Sequence, residues 1–463
     1  MSVIIEKVFS ALEIYNTYVS GAALPWILMC AGIFMSVYLR FFHLRHPIKV
    51  IKQLVSPQKL TNSEKGTSPL KAVTLSLAGT LGAGNIIGVT AAITAGGPGA
   101  IFWMWISAIC AMPLKYAETL LAVVFRRTQT DSDGKISYFG GAMYYIRDGL
   151  RKCGLKNSAA LASVFALLCI ANSLTTGNIV QVNAAAASLH SVPPLVFGLT
   201  FAALTAIVII GGVSRISDIT LRLIPVLSIV YIVLSMYIIS INVAKIPAAL
   251  SLIVSDAFDF GSATSGISAF LLSKSVRYGV SRGILSNEAG CGTAPTAHAS
   301  ANVAHPHTQG CWGIFEVFSD TIVLCSMTAL VILISYEDLV LAKSLEGISL
   351  AISAYEKYAG APAAIILTIS LLLFAYATVI CQSYYGIESI NYLTKSKKAR
   401  KAYLLIFILA TILGATISPE KMWSLADFTI ATMTIINTMC LLRLSKEVRG
   451  RVTVAFEKTP QNF

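Results

Sequence analysis

The chain has 463 residues, of which 56% are apolar and only 12% charged, and its mean hydropathy is +0.73. Soluble proteins carry roughly 25% charged residues, so this composition excludes an ordinary soluble enzyme and points to an all-α polytopic membrane protein. The net charge of +13 would suggest a nucleic-acid partner in a soluble chain, but here the bases gather in a few loops, as in the cytoplasmic loops of a membrane protein, and no nucleic acid is expected.

About twenty apolar residues cross a hydrocarbon core, and about eleven such spans are predicted along the chain. Their approximate limits are 20–39, 72–95, 99–124, 158–187, 194–212, 222–243, 264–296, 310–335, 361–393, 402–418 and 421–443. No cleavable signal is evident, because Arg40 follows the first apolar run and no basic segment precedes it. The cysteines have no spacing of a disulfide framework or zinc site and read as small buried residues. The basic loops 40–71 and 126–157, the 395–401 linker and the tail after Arg443 all fall on one side of an eleven-span chain. The positive-inside rule makes that side cytoplasmic, with the amino terminus outside and the carboxyl terminus inside.

The second span contains Gly79-Thr80-Leu81-Gly82-Ala83-Gly84-Asn85, followed by Gly88. Glycine costs up to about 1 kcal/mol per position inside a helix. Gly84-x-x-x-Gly88 also fits close helix packing, but packing alone does not call for Thr80 and Asn85. An unwound turn does: bare amides meet an anionic group, while carbonyls and Asn85 offer oxygens to a cation. Gly96-Gly97-Pro98-Gly99 then reads as a tight outer turn. In the fourth span, Asn172, Thr175, Asn178 and part of Gln181 fall on one polar stripe, beside Thr176 and Asn183. Neutral amides suit a zwitterionic ligand; glue between helices is the alternative.

The seventh span carries a second interruption, Ser286-Asn287-Glu288-Ala289-Gly290-Cys291-Gly292-Thr293. An intramembrane carboxylate such as Glu288 marks a functional site or a structural ion pair, for which Arg277 and Arg282 are the candidate partners. Glu316 and Asp320 are four apart and share a helix face, and with Arg282 they are candidates for a gate or scaffold. His298, His305 and His307 read as solvated loop residues. The segment from Glu337 to Lys357 is amphipathic and lies outside, along the membrane surface, over the outer vestibule or as an ordinary solvated loop helix. In the ninth span, Thr378 offers a hydroxyl oxygen to Na+. Phosphate-loop, metalloprotease and nucleophile-elbow motifs are absent, so neither an enzyme nor a primary pump is expected. The remaining energy source is an ion gradient.

The two interruptions lie five spans apart, an odd offset that gives opposite topology to the two halves, as an inverted repeat requires. Each is followed by a similar string, Gly99-Ala100-Ile101-Phe102-Trp103 and Gly310-Cys311-Trp312-Gly313-Ile314-Phe315. The expected organisation is an N-terminal helix and basic loop (1–71), repeats at 72–243 and 244–443, and a cytoplasmic tail (444–463).

These strings resemble the alanine/glycine:cation symporter family, also called sodium:alanine symporters. The resemblance rests on Gly79 to Gly88, Gly96 to Trp105, Lys115-Tyr116-Ala117-Glu118, Gly140 to Ile146, Gly177 to Asn183, and the dense run from Arg282 to Gly290 continued by Trp312 to Thr321. It implies a ten-helix inverted-repeat core of the leucine-transporter type, behind one extra N-terminal helix, with Na+ or H+ coupling and small neutral amino acids as substrate. No cofactor or metal beyond the coupling ion is implied. Carried over, Thr80, Gly82, Ala83, Gly84, Asn85, Asn178, Gln181, Ser286, Asn287 and Gly290 hold the substrate, and Thr80, Ala83 and Thr378 hold Na+. Three positions depart from the family. Gln382 stands where it usually has Trp, which predicts a roomier, more polar pocket suited to glutamine, asparagine or serine. Ile387 replaces a usual Glu, and Ala377 replaces a frequent hydroxyl, which leaves H+ open as the coupling ion.

The resulting expectation is a secondary active importer working by alternating access in a bacterial-type plasma membrane. A passive facilitator or channel is the rival; a receptor would call for a sizeable output domain, against which the short tails argue.

Overall fold

The computed structural model describes residues 2–55, 67–130, 136–189, 191–259, 274–335, 347–417 and 419–457. Among them, nine helices are long and apolar enough to cross a membrane. Pro194–Ile209 is a shorter apolar helix, and the seventh predicted span is described only from Lys274. Residues 337–346 of the amphipathic segment lie outside the described residues, while its remainder begins the Ile348–Leu393 helix.

Several boundaries differ from hydropathy for identifiable reasons. The first membrane helix is Phe9–Tyr38 and not 20–39: backbone hydrogen bonding continues through the polar Asn16–Ala23 stretch, which has wide π-type turns. The helix predicted over 361–393 extends back to Ile348, and its apolar part begins at a real discontinuity. Gly360 there takes φ +71° just before Pro362, combining a left-handed residue with one that cannot donate. The basic segment after Val124 forms a two-stranded hairpin, Arg127–Thr130 paired antiparallel with Ile136–Phe139. The amphipathic Ala142–Lys152 helix follows it. Hydropathy announces none of these three elements.

Two membrane helices are broken. The first gives Pro69–Thr80 and Gly84–Gly96; the second gives Lys274–Asn287 and Pro295–Ala299. The halves leading away from the two breaks on one side, Gly84–Gly96 and Lys274–Asn287, pack on each other. They are tied at their far ends by the Ser275 hydroxyl donating to the Gly96 carbonyl (2.7 Å). On the other side, Thr67 and Ala301 form a parallel bridge, with Asn302 N–H donating to Thr67 O (2.7 Å). Arg126 donates to the Ala301 carbonyl and, at 3.4 Å, to that of Val303. The Ala100–Val124 helix runs between, against Lys274–Asn287 and Pro306–Val317. Small residues permit that approach: a Cβ on Gly313 would lie 2.9 Å from the Lys115 carbonyl oxygen.

Candidate functional site

The first interruption is three residues, Leu81 to Ala83. The second runs from Glu288 to Ala294, with Gly290 at φ +87° and Gly292 at φ +80°. Glu288 itself sits at φ +49°, a left-handed conformation that non-glycine residues adopt at a cost and that concentrates at functional sites. The turn is held from behind: Gly292 N–H donates to Glu118 (2.9 Å), and Asn437 donates to the Gly290 carbonyl (2.8 Å) and to Glu118.

A cavity of about 310 Å³ opens against both breaks, within the range of small-molecule sites. Thr80, Ala83 and Gly84 line it from the first, Ser286 and Glu288 from the second, and Thr176 and Gln181 from the fourth predicted span. Ile87, Val180, Ala184 and Leu285 supply an apolar wall, and Arg282 and Trp423 complete it. Gly84 and Gly88 have nothing within 4 Å of a would-be Cβ. Their role is therefore to leave space, and the close-packing reading of this pair falls. Gly82 is the opposite case. A Cβ there would lie 2.8 Å from both Gln181 Oε1 and Thr378 Oγ1, so the chain passes between those side chains only as glycine.

The freed backbone has partners. Ala83 N–H donates to Gln181 Oε1 (3.0 Å), and the Gly84–Gly96 helix begins at the cavity wall, presenting the positive end of its dipole. Thr378 donates to the carbonyls of Ala78 (2.9 Å) and Phe374 (3.1 Å), leaving hydroxyl lone pairs beside Gly82. Thr80 and Ala83 line the cavity in front, so the three residues expected to hold Na+ bracket the first break.

Other expected site residues point elsewhere. Asn85, Asn287 and Asp320 do not line the cavity. They form a buried junction behind it, in which Asn85 Nδ2 and Ser286 Oγ donate to the Asp320 carboxylate (2.7 and 2.8 Å). Asn287 Nδ2 reaches Thr321 Oγ1 (3.1 Å). This junction ties the two broken helices to the Pro306–Ile334 helix. Asn178 donates to the Phe407 carbonyl (2.8 Å) and accepts from Thr411 (3.0 Å), so it joins helices, the alternative open for that stripe. Gly290 faces Leu28 and Thr438. Gln382 packs its side chain on Gly177 and is not part of the cavity wall, so the inference of a more polar pocket from this residue has no support in its placement.

Opposite the cavity, the two broken helices close on a buried polar network. Lys115 Nζ donates to the Asn287 carbonyl (3.0 Å) and lies 3.7 Å from Glu316 Oε2. The same oxygen accepts from Ser76 (3.1 Å). Glu316 Oε1 lies 2.7 Å from His298 Nε2, and His298 Nδ1 lies 2.6 Å from Gln309 Oε1. Lys115 and His298 are both 0% exposed. Three expectations are corrected. Glu316 pairs with Lys115 and His298, not Arg282. Glu288 accepts from Thr293 (2.6 Å), and no ion pair joins it to Arg277 or Arg282 among the described residues. His298 and His307 are buried, not solvated. The sequence does carry a signal for this network and for the support of the second turn: Lys115 and Glu118, two charges three residues apart in an apolar run.

A sequence model of the sodium:alanine symporter family matches residues 5–462. The chain is 36% identical over 457 residues to the sodium/alanine symporter AgcS of Methanococcus maripaludis, covering 98% of each chain. It is 34% identical over 425 residues to the probable sodium/glutamine symporter GlnT of Bacillus subtilis, covering 91% of this chain and 85% of that one. Among solved structures, the manganese transporter of Eremococcus coleocola superposes with a TM-score of 0.50 at 12% identity, over 82% of this chain and 80% of that one. That likeness speaks to the fold alone, the leucine-transporter-type membrane bundle that the family resemblance implies. The chain is a multi-pass transporter, not an enzyme, and belongs to the sodium:alanine symporter family.

Proposed function

We propose that this protein is a symporter that imports a small neutral amino acid with Na+ by alternating access across a bacterial-type plasma membrane. The observation that carries the reading is the cavity shared by both breaks and shut on one side. Its wall offers an amino acid what a zwitterion needs: a helix N-terminus and Arg282 for the carboxylate, and the Ser286 hydroxyl and Glu288 carboxylate for the ammonium. Ile87, Val180, Ala184 and Leu285 leave a modest apolar space for a side chain of the alanine class. Na+ takes oxygens, and the Thr378 hydroxyl with the carbonyls around Gly82 and Thr80 supplies them at the first break. AgcS and GlnT carry alanine and glutamine in their names, which keeps glutamine or serine as a second substrate class. On this reading the basic loops face the cytoplasm, the amino terminus lies outside and the sealed half faces inward, in line with the positive-inside rule.

H+ coupling is the second reading, favoured by one observation. Glu288 is a buried carboxylate on the cavity wall without an ion-pair partner among the described residues, the situation of proton-carrying residues in transporters. Reconstituted protein, assayed with a panel of labelled amino acids under imposed Na+ or H+ gradients, separates the cases. Accumulation above equilibrium driven by Na+ supports the first reading, and accumulation driven by H+ alone supports the second. Equilibration without accumulation under either gradient makes the protein a passive facilitator and overturns both.

A further inference from the structure

A second cavity, about 170 Å³, lies between the Phe9–Tyr38, Lys274–Asn287 and Pro419–Arg443 helices. Asn16, Ser20, Arg277, Ser281, Arg282 and Asp427 give it its polar lining. Arg282 and Leu285 line both this cavity and the central one, so the two adjoin. At about 1.5 Å per helical residue, Arg282 stands roughly 7 Å and Arg277 roughly 15 Å before the end of its helix at the second break. The pair therefore forms a ladder leading toward the central cavity.

Among the described residues, three polar atoms of this lining are buried without a hydrogen-bond partner: Nε of Arg277, Nε of Arg282 and Oδ1 of Asn16. Asn16 is fixed in place by its amide, which donates to Ser424 O (2.7 Å) and Ser424 Oγ (3.1 Å). Ser20 is fixed by donation to Asp427 O (3.4 Å). Both residues belong to the π-type stretch of the N-terminal helix, a distortion that recurs at functional positions. Among the described residues that line the cavity, two guanidinium groups face the one carboxylate of Asp427, an excess of positive charge, and buried donors call for an acceptor. A planar carboxylate fits a guanidinium fork, and the orphaned Asn16 oxygen suits an ammonium group.

We propose that this cavity is an entry site in which Arg277 and Arg282 hold the carboxylate of an amino acid before it passes to the central cavity. The proposal rests on the amino-acid transport reading, and it gives the N-terminal helix a role in access. An entry site changes rates in both directions without changing the equilibrium at the central site.

The test uses purified full-length protein and Arg277→Gln, because Arg277 lines only the second cavity. Association and dissociation of labelled alanine should both slow about tenfold, because a waypoint on the path lowers the barrier in both directions and association rates among variants of one site span about one to three decades, with equilibrium Kd unchanged. Arg277→Lys should restore part of the rate. Acetate should slow association to the wild type and not to Arg277→Gln. An unchanged rate in Arg277→Gln overturns the proposal, as does chloride slowing the wild type as effectively as acetate. If neither protein binds alanine or any other amino acid, the transport reading fails separately. Calorimetric titration with acetate alone then decides the site: heat of binding lost in Arg277→Gln supports it, and equal or absent heat in both overturns it.

Discussion

The two sides of the paired breaks are built on different terms. On one side, Gly84–Gly96 and Lys274–Asn287 border open space, and the residues facing it are glycines, apolar side chains, a few polar groups and the charges of Arg282 and Glu288, which form no ion pair with each other. On the other, Lys115, Glu316, His298 and Ser76 fill the interior with charges and hydrogen bonds, and Arg126 and the Thr67–Ala301 bridge close the far end. A seal of interlocked apolar side chains would cost less stability than a buried ion pair. A polar seal has discrete partners that can exchange, which suits the barrier that the proposed alternating access would open and reclose. The contrast explains why one half of the molecule tolerates a void while the other uses charged residues to close one.

The largest effect is expected from breaking the seal. Lys115→Met leaves Glu316 buried without its ammonium partner, and such breaks cost about 3–5 kcal/mol. Thermal unfolding in detergent should show a clear loss, and Lys115→Met combined with Glu316→Leu should recover part of it, the remainder being the cost of leaving Ser76 and His298 without Glu316. If the double variant is no better than the single, the pair does not act as a unit. The next effect comes from the open side. Gly82→Ala forces a Cβ between Gln181 and Thr378, and uptake should fall by about a hundredfold, roughly 3 kcal/mol, with normal membrane insertion. Near-normal uptake would show that the first turn has slack that the geometry denies it. Thr378→Ala should raise the Na+ concentration for half-maximal uptake several-fold while leaving Vmax at saturating Na+ close to wild type; an unaltered Na+ dependence removes Thr378 from the ion site. The smallest effect should come from Gln382→Leu. Its amide faces Gly177 and has no hydrogen-bond partner among the described residues, so the ranking of alanine, serine and glutamine in uptake should stay within about twofold of wild type, under about 0.5 kcal/mol. A marked change in that ranking would return Gln382 to the pocket.

The positions of both breaks were legible because glycine and polar residues clustered inside an apolar run free backbone groups that lipid cannot satisfy, so the chain must line a cavity there. Of the residues that the family resemblance assigns to the substrate, Thr80, Ala83, Gly84, Gln181 and Ser286 line the cavity. Facing was less legible, and the reason is physical. A regular period of 3.6 residues puts Asn178 on one stripe with Asn172 and Thr175. However, the chain makes wide π-type turns over Thr175–Ile179, which shift the phase and aim Asn178 at Thr411. The same happens at Phe318–Cys325: Glu316 and Asp320, four apart, were expected to act together but serve different partners. Nothing in residue type announces a π turn, because it is settled by packing against neighbours. The hairpin after Val124 escapes hydropathy for another reason, since a basic loop stands out by its charge and not by its β pattern. His298 looks solvated in the sequence because its partners, Glu316 and Gln309, lie 18 and 11 residues away on another helix.

The most direct test of the account is equilibrium binding of labelled alanine to purified wild type and Gly84→Leu, each in Na+ and in choline. The added side chain enters space that is empty of protein atoms, so the fold should survive while the cavity fills. The account predicts saturable, Na+-dependent binding to the wild type and none to the variant, with equal monodispersity of the two proteins. Equal Na+-dependent binding to both would place the amino acid somewhere other than between the two breaks.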